Sequence, residues 1–381
     1  MQTSAADHPI ERRGRAALNN DSGRFEAQTR VPFDDDWGTR AGDATSIETT
    51  LHTETPRAII TRNTSPDIPF EQSINAYRGC EHGCVYCFAR PSHAYMGLSA
   101  GLDFETEIFT KPNAAALLEK EITRPGYVQK TIALGTNTDP YQPAERRLRL
   151  TQQILEVLDR HDHPVSITTK SDRILDDLEV LRSLSDKGLV RIALSVTTLD
   201  HRLARTLEPR AATPARRLDA LAKLSEAGIP TCVMVAPVIP GLTDHEIERI
   251  LAASANAGVT DAAWVLLRLP GEVSALFEQW LSRHAPDRKN RVLSALRALR
   301  GGKLNDPRFG ERLRGNGPVA DLLSQRFKAA ARRHGLQAMS SRWEGANAQR
   351  QGVWRGPQNP KQRRPATKAH TRDAPKQLSL F

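Results

Sequence analysis

Between roughly residues 70 and 270 the chain repeats one alternation, a short apolar run followed by an amphipathic stretch. No other feature of the sequence limits the fold as much. The runs 73–77, 131–135, 165–169, 190–196, 230–238 and 262–269 have the length and continuous apolarity of buried strands. Between them apolar residues recur three and four apart, as at Leu148, Ile154, Leu155 and Leu158, or at Leu175, Leu178, Leu181 and Leu184. That spacing predicts helices with one buried face. Thr243, with Glu246 three residues on, predicts a capping box ahead of Ile247. Six alternations predict an α/β fold with a parallel sheet, curled or doubly wound.

Sheets of this kind carry their chemistry beyond the carboxyl ends of the strands. Here those ends read GTNTDPYQP, TKSD, SVTT and PVIPGLTD after the second to fifth runs. Any one of them reads equally well as turn chemistry. Four polar ends at equivalent positions predict a lined site.

Composition shifts outside this region. Residues 1–55 are polar, acidic around Asp34, Asp35 and Asp36, and without periodicity, which predicts a disordered or loosely draped segment. Residues 56–275 form the expected core domain, and 276–340 a helical extension packed on it. Residues 341–381 form a second disordered tail, rich in Gln, Arg, Pro and Lys. That tail holds nine Lys or Arg against two acidic residues, seven of the ten net positive charges of the 381-residue chain. A basic tail fits a nucleic-acid partner, although solvated basic tails are common. No apolar run approaches the roughly 20 residues of a membrane span, and the N-terminal region lacks an apolar signal core. A reducing cytoplasm is the expected compartment, with no membrane partner.

Three of the four cysteines, Cys80, Cys84 and Cys87, crowd into NAYRGCEHGCVYCFAR with the spacing C-x3-C-x2-C. They stand too close together for a disulfide framework. Three thiolates on one loop can each bind a different iron of a [4Fe-4S] cubane. The fourth iron then stays open to the amino and carboxylate groups of S-adenosylmethionine (SAM), and electron transfer cleaves the C5′–S bond to give a 5′-deoxyadenosyl radical. A zinc site completed by His82 or His93 is the alternative, and would make the chain a non-catalytic, zinc-stabilised adaptor.

The C-x3-C-x-aromatic-C pattern, with Tyr86 before the last cysteine, resembles the radical SAM superfamily. The flanking GLDFETEIFTKPN, GTNTDPYQPAE and RFGERLRGNGP resemble its spore photoproduct lyase-like branch, often labelled DNA repair photolyase-like. The resemblance runs from about residue 60 to 336. It implies a partial (βα)6 TIM-type barrel, a [4Fe-4S] cluster on Cys80, Cys84 and Cys87, and bound SAM. It places Tyr86 against the adenine and Gly135, Thr136, Asn137, Thr138 and Asp139 near the methionine amino group. Lys170 and Ser195 correspond to groups holding the carboxylate, which suits a Lys ammonium. An electron donor such as flavodoxin or ferredoxin is expected as well. The resemblance implies no substrate; the basic tail and the last five residues tilt the expectation towards DNA and repair-type lyase chemistry. RNA, a protein or a small molecule are the other substrates in view.

One departure stands out. Spore photoproduct lyases carry a hydrogen-donating cysteine at the strand end occupied here by Gly135 to Asp139, and this chain has none there. Cys232 falls near the start of its strand, about 16 Å from that strand's carboxyl end, and reads as a small core residue.

Gln377, Leu378, Ser379, Leu380 and Phe381 spell QLSLF. This resembles the peptide by which bacterial polymerases and repair proteins dock on the replication sliding clamp. An extended segment with apolar anchors can fill pockets on such a partner.

Overall fold

The computed structural model describes residues 14–26, 29 and 47–338. Chain order opens with β1 (Thr50–Thr53), β2 (Thr61–Arg62), β3 (Gln72–Ile74) and β4 (Tyr77–Arg78). After the cysteine loop come α1 (Asp103–Thr106), β5 (Glu107–Thr110) and α2 (Ala114–Ile122). The repeat then runs β6 (Ile132–Leu134), α3 (Glu145–Leu148), α4 (Leu150–Arg160), β7 (Val165–Thr169) and α5 (Leu178–Asp186). It continues through β8 (Val190–Ser195), α6 (His201–Leu207), α7 (Pro214–Glu226), β9 (Thr231–Val238), α8 (Ile247–Asn256) and β10 (Asp261–Leu266). An extension of α9 (Val273–His284), α10 (Pro286–Leu299) and α11 (Pro318–Arg333) leads to β11 (Gln337–Ala338).

The main sheet has the order β11-β10-β9-β8-β7-β6-β3-β2, parallel throughout except for β2, which runs antiparallel to β3. Successive strands are neighbours from β6 to β11. A doubly wound sheet reverses its strand order at a switch point, and this one does not. The curled, partial barrel is therefore the correct branch of the expectation. Helices follow the same sequence around the outside, α2 on α4, α4 on α5, α7 on α8 and α8 on α11. Ile132, Leu134, Ile167, Ile192, Leu194, Val233 and Val235 from the strands bury against Leu118, Ile154, Leu155, Leu158, Leu181, Leu184, Leu221 and Leu251. Each such side chain contributes about 1.5–3 kcal/mol on leaving water.

Four local expectations are corrected. The first apolar run splits: 72–74 joins the main sheet, while 77–78 pairs with β5 in a second sheet of order β1-β5-β4. Residues 15–18 and 50–53, expected to be loosely draped, are held in place, the first by burial and the second by strand pairing. Ala16, Ala17 and Leu18 are buried and β1 pairs with β5 over Thr50 to Thr53. Leu148 does not share a helix with Ile154, because Arg149 at φ 52° ends α3 and opens α4. The capping box is absent as well. Glu246 accepts hydrogen bonds from Thr198 Oγ1 and Leu199 N, and Thr243 accepts from Ile239 N, so both cross-link strand ends instead of capping α8. The tail 341–381 lies outside the described residues, as does QLSLF within it.

Candidate functional site

The loop carrying Cys80, Cys84 and Cys87 leaves the main sheet at β3 and crosses the carboxyl ends of the parallel strands. None of the four cysteines is in a disulfide; Cys80 and Cys84 are buried and Cys87 is partly exposed. Burial pushes each thiol of the triplet up, strongly so for Cys80 and Cys84. The loop is nearly all backbone turns, with Gly83 N on Cys80 O, Cys87 N on Cys84 O and Arg90 N on Cys87 O.

One side chain organises it. Arg90, fully buried, donates to the carbonyls of Gly83, Cys84, Ala100 and Gly101, and the Nη2 that meets Gly83 also meets Glu105 at 2.5 Å. Glu105 is also fully buried and accepts from the backbone N–H groups of Ala16 and Ala17. A Cβ on Gly83, which sits at φ 66°, would lie 2.8 Å from the Glu105 carboxylate, so the close approach requires glycine. Neither Arg90 nor Glu105 stood out in the sequence. The only signal was their place inside the quoted motifs.

Tyr86 is buried, with its hydroxyl donating to Glu208 and lying 3.1 Å from Thr197 Oγ1. Glu208 pairs in turn with buried Arg217, whose guanidinium also donates to Ser195 O. Burial alone would raise the Glu208 carboxyl, but Arg217 and Lys170 hold it down at about 2. Tyr86 is thus a wall residue that fixes the loop between its last two cysteines.

The segment from Gly135 to Asp139 is mostly spent on bracing. Gly135, at φ 87°, brings β6 so near β7 that a Cβ would lie 2.0 Å from Thr168 O. Thr136 Oγ1 accepts from Asn75 Nδ2, Asn137 N donates to Asn75 Oδ1, and Thr138 Oγ1 donates to Gly79 O. Asp139 accepts from Thr169 Oγ1 and Lys170 N and lies 3.3 Å from His82 Nδ1. Although burial opposes it, His82 and those two donors hold Asp139 at about 2. Three polar side-chain groups at successive strand ends remain without a hydrogen-bond partner among the described residues: the Asn137 amide after β6, the Lys170 ammonium after β7 and the Ser195 hydroxyl ending β8. Lys170 Nζ stands 5.9 Å over the Tyr86 ring.

The zinc alternative finds little support. His82 faces Asp139, and His93 Nε2 bonds the Glu107 carbonyl while its ring packs edge-on against Phe104. Among the described residues no three His, Cys, Asp or Glu side chains converge as a single-ion site. Thiolates on separate irons of a cluster need no such convergence. Cys232 pairs in register with Asp261 at the start of β10, the opposite end of the sheet from the cysteine loop, as expected of a core residue.

Residues 74–253 match the family described as the radical SAM superfamily. The uncharacterized protein Rv2578c of Mycobacterium tuberculosis is 39% identical over 261 residues, 68% of this chain and 75% of its own length. The uncharacterized protein MJ0683 of Methanocaldococcus jannaschii is 29% identical over 173 residues, 45% of this chain and 62% of its own. Among solved structures, spore photoproduct lyase complexed with dinucleoside spore photoproduct superposes with a TM-score of 0.56 at 16% identity, covering 76% of this chain and 81% of that one. At that identity the likeness is one of fold.

Proposed function

The chain belongs to the radical SAM superfamily, and from that premise we propose that Cys80, Cys84 and Cys87 ligate a [4Fe-4S] cluster in an enzyme acting on DNA. Enzymes of this superfamily use that cluster with SAM, whose reductive cleavage supplies a 5′-deoxyadenosyl radical, and they require an electron donor. A small flavodoxin or ferredoxin would serve here.

The observation that carries the reading is a pairing: three cysteines on one braced loop, and three unspent polar groups at the next three strand ends. The donor set fits the group. Buried thiols resist ionisation, so soft metal coordination is the stable way to hold them deprotonated. Lys170 receives the methionine carboxylate, with Ser195 and the Asn137 amide completing its polar cradle. Thr136, Thr138 and Asp139 act as braces rather than contacts. The loop and the Tyr86 wall keep water from the reacting atoms.

DNA is favoured by the basic chain and by the ligand of the structural relative, a dinucleoside photoproduct. Residues 283–333 alone carry fourteen Lys or Arg against four Asp or Glu. With no cysteine in the segment from 135 to 139, the reaction differs from thymine-dimer reversal through a thiol at that position. The reading keeps the protein in the cytoplasm, and among the described residues no helix is long and apolar enough to cross a membrane.

Anaerobic reconstitution with iron and sulfide tests the proposal. A brown protein that releases 5′-deoxyadenosine from SAM on reduction, and whose crosslinked cellular partner is DNA, supports it. A colourless zinc-loaded protein overturns the cluster, and crosslinking only to RNA or protein overturns the substrate.

A further inference from the structure

Arg268 stands two residues past β10, at the carboxyl end of the strand three places round the sheet from β7 and Lys170. Its guanidinium carbon lies 5.4 Å from the centroid of the Phe88 ring. Phe88 follows Cys87 directly and is 50% exposed, so half of this side chain is open to solvent beside the cysteine loop. Arg268 Nε is buried without a hydrogen-bond partner, and among the described residues the side chain makes no ion pair.

The surroundings leave this cation unbalanced. Burial, and after it the nearby Arg312 and Arg300, lower the Arg268 pKa to about 10. Asp67 is the nearby carboxylate, and it is committed to Arg312 through a two-point pair at 2.5 and 2.7 Å. Arg300 donates to the carbonyls of Leu267 and Arg312. Asp306 faces Arg300 but is itself paired with Arg308, so neither nearby carboxylate forms a pair with Arg268. An exposed arginine lying on an aromatic ring is commonplace, but a partly buried one among two others is costly unless an anion joins it. A guanidinium suits the paired oxygens of a phosphodiester, and an exposed ring face suits a base.

We propose that Arg268 and Phe88 form a nucleotide subsite at the mouth of the barrel, Arg268 binding a backbone phosphate and Phe88 stacking a base of the bound strand. This rests on the reading of the substrate as nucleic acid, and adds to it where the strand is gripped. Lys170, three strands away, keeps the cofactor carboxylate, so the two cations serve different anions.

The test uses the full-length, cluster-loaded protein and fluorescence anisotropy with labelled single-stranded DNA and RNA of one sequence across a salt series. Arg268→Gln should weaken strand binding about 10- to 100-fold and lower the salt slope by about 1, with Arg268→Lys recovering part of the loss. Phe88→Leu should weaken binding about 5- to 100-fold with little change in slope. Iron content and SAM affinity should stay at wild-type values in all three. Wild-type DNA affinity and slope in Arg268→Gln would overturn the subsite while leaving the DNA reading intact. A loss confined to RNA, with DNA unbound by the wild type, would uphold the subsite and overturn DNA as substrate. No strand bound by the wild type would overturn both, and a fall in SAM affinity would reassign Arg268 to the cofactor.

Discussion

Arg90 and Glu105 meet at 2.5 Å where neither side chain is exposed to solvent. The pair is the keystone of the cysteine loop. Arg90 gathers carbonyls from both sides of Cys84, and Glu105 anchors it while gripping the backbone of the N-terminal segment. Four carbonyls alone would leave a full positive charge in the interior, and the carboxylate supplies what dipoles cannot.

Glu105→Gln keeps the shape but strips the charge from under Arg90. Breaking a buried pair from one side costs about 3–5 kcal/mol. We expect a lower urea midpoint and poor iron retention after reconstitution. Equal midpoints for the two proteins would show that the backbone turns hold the loop unaided.

Removing any one of Cys80, Cys84 or Cys87 as alanine should abolish cluster binding and SAM cleavage, because each iron corner loses its protein ligand. Cys232→Ala should leave iron content near wild type, since that thiol sits at the amino end of β9. A Cys232 variant that holds its cluster yet cannot turn over would bring that thiol back as a hydrogen donor.

What the sequence made legible divides along a physical line. The strands of the barrel could be read because parallel strands buried on both faces must be continuously apolar, and five of the six runs lie where expected. The cysteine loop was legible because ligand spacing is local. The break between β3 and β4 was not, since it depends on Asn75, whose side chain binds Thr136 and Asn137 some 60 residues away. Glu105, Glu208 and Arg217 were likewise hidden, because a buried charge and a surface charge look alike until the partner is known. Lys170 is the converse case: the resemblance named it at a strand end, and the lack of a side-chain hydrogen bond among the described residues is what sets it apart from the braced Asp139.

Lys170→Ala should weaken SAM binding without loss of iron. A charge-assisted hydrogen bond to a carboxylate is worth about 1.5–3 kcal/mol, or about 10- to 150-fold in affinity. Equilibrium binding to the cluster-loaded protein reads this directly, and an unchanged dissociation constant would remove Lys170 from the site.

Stability should fall as pH rises from about 4.5 towards 7. Burial lifts the Glu145 carboxyl to about 7, against hydrogen bonds from Tyr77 and the backbone of Thr151 and Gln152. The folded chain therefore holds this proton more tightly than the unfolded chain, and ionising it costs on the order of 3 kcal/mol by the time pH exceeds 7. Glu145→Gln should flatten the melting temperature over that window. An unaltered pH profile would mean that Glu145 is ionised in the folded protein throughout.

Deleting Gln377 to Phe381 should abolish binding to a bacterial sliding clamp while leaving cluster assembly and SAM cleavage intact. The motivation is local, since Leu378, Leu380 and Phe381 are apolar residues following a hydrophilic, basic stretch. A tethered peptide docked on the clamp would raise the effective concentration of the barrel on nearby DNA. Few contacts are formed and the peptide must be ordered on binding, so micromolar affinity is expected, about −8 kcal/mol. Leu380 and Phe381 should dominate, as buried apolar anchors carry most interface energy. Calorimetry of purified clamp with a peptide of residues 374–381, beside one carrying Leu380→Ala and Phe381→Ala, measures this. Equal binding of the two peptides would sink the clamp assignment and remove one independent reason for placing the substrate on DNA.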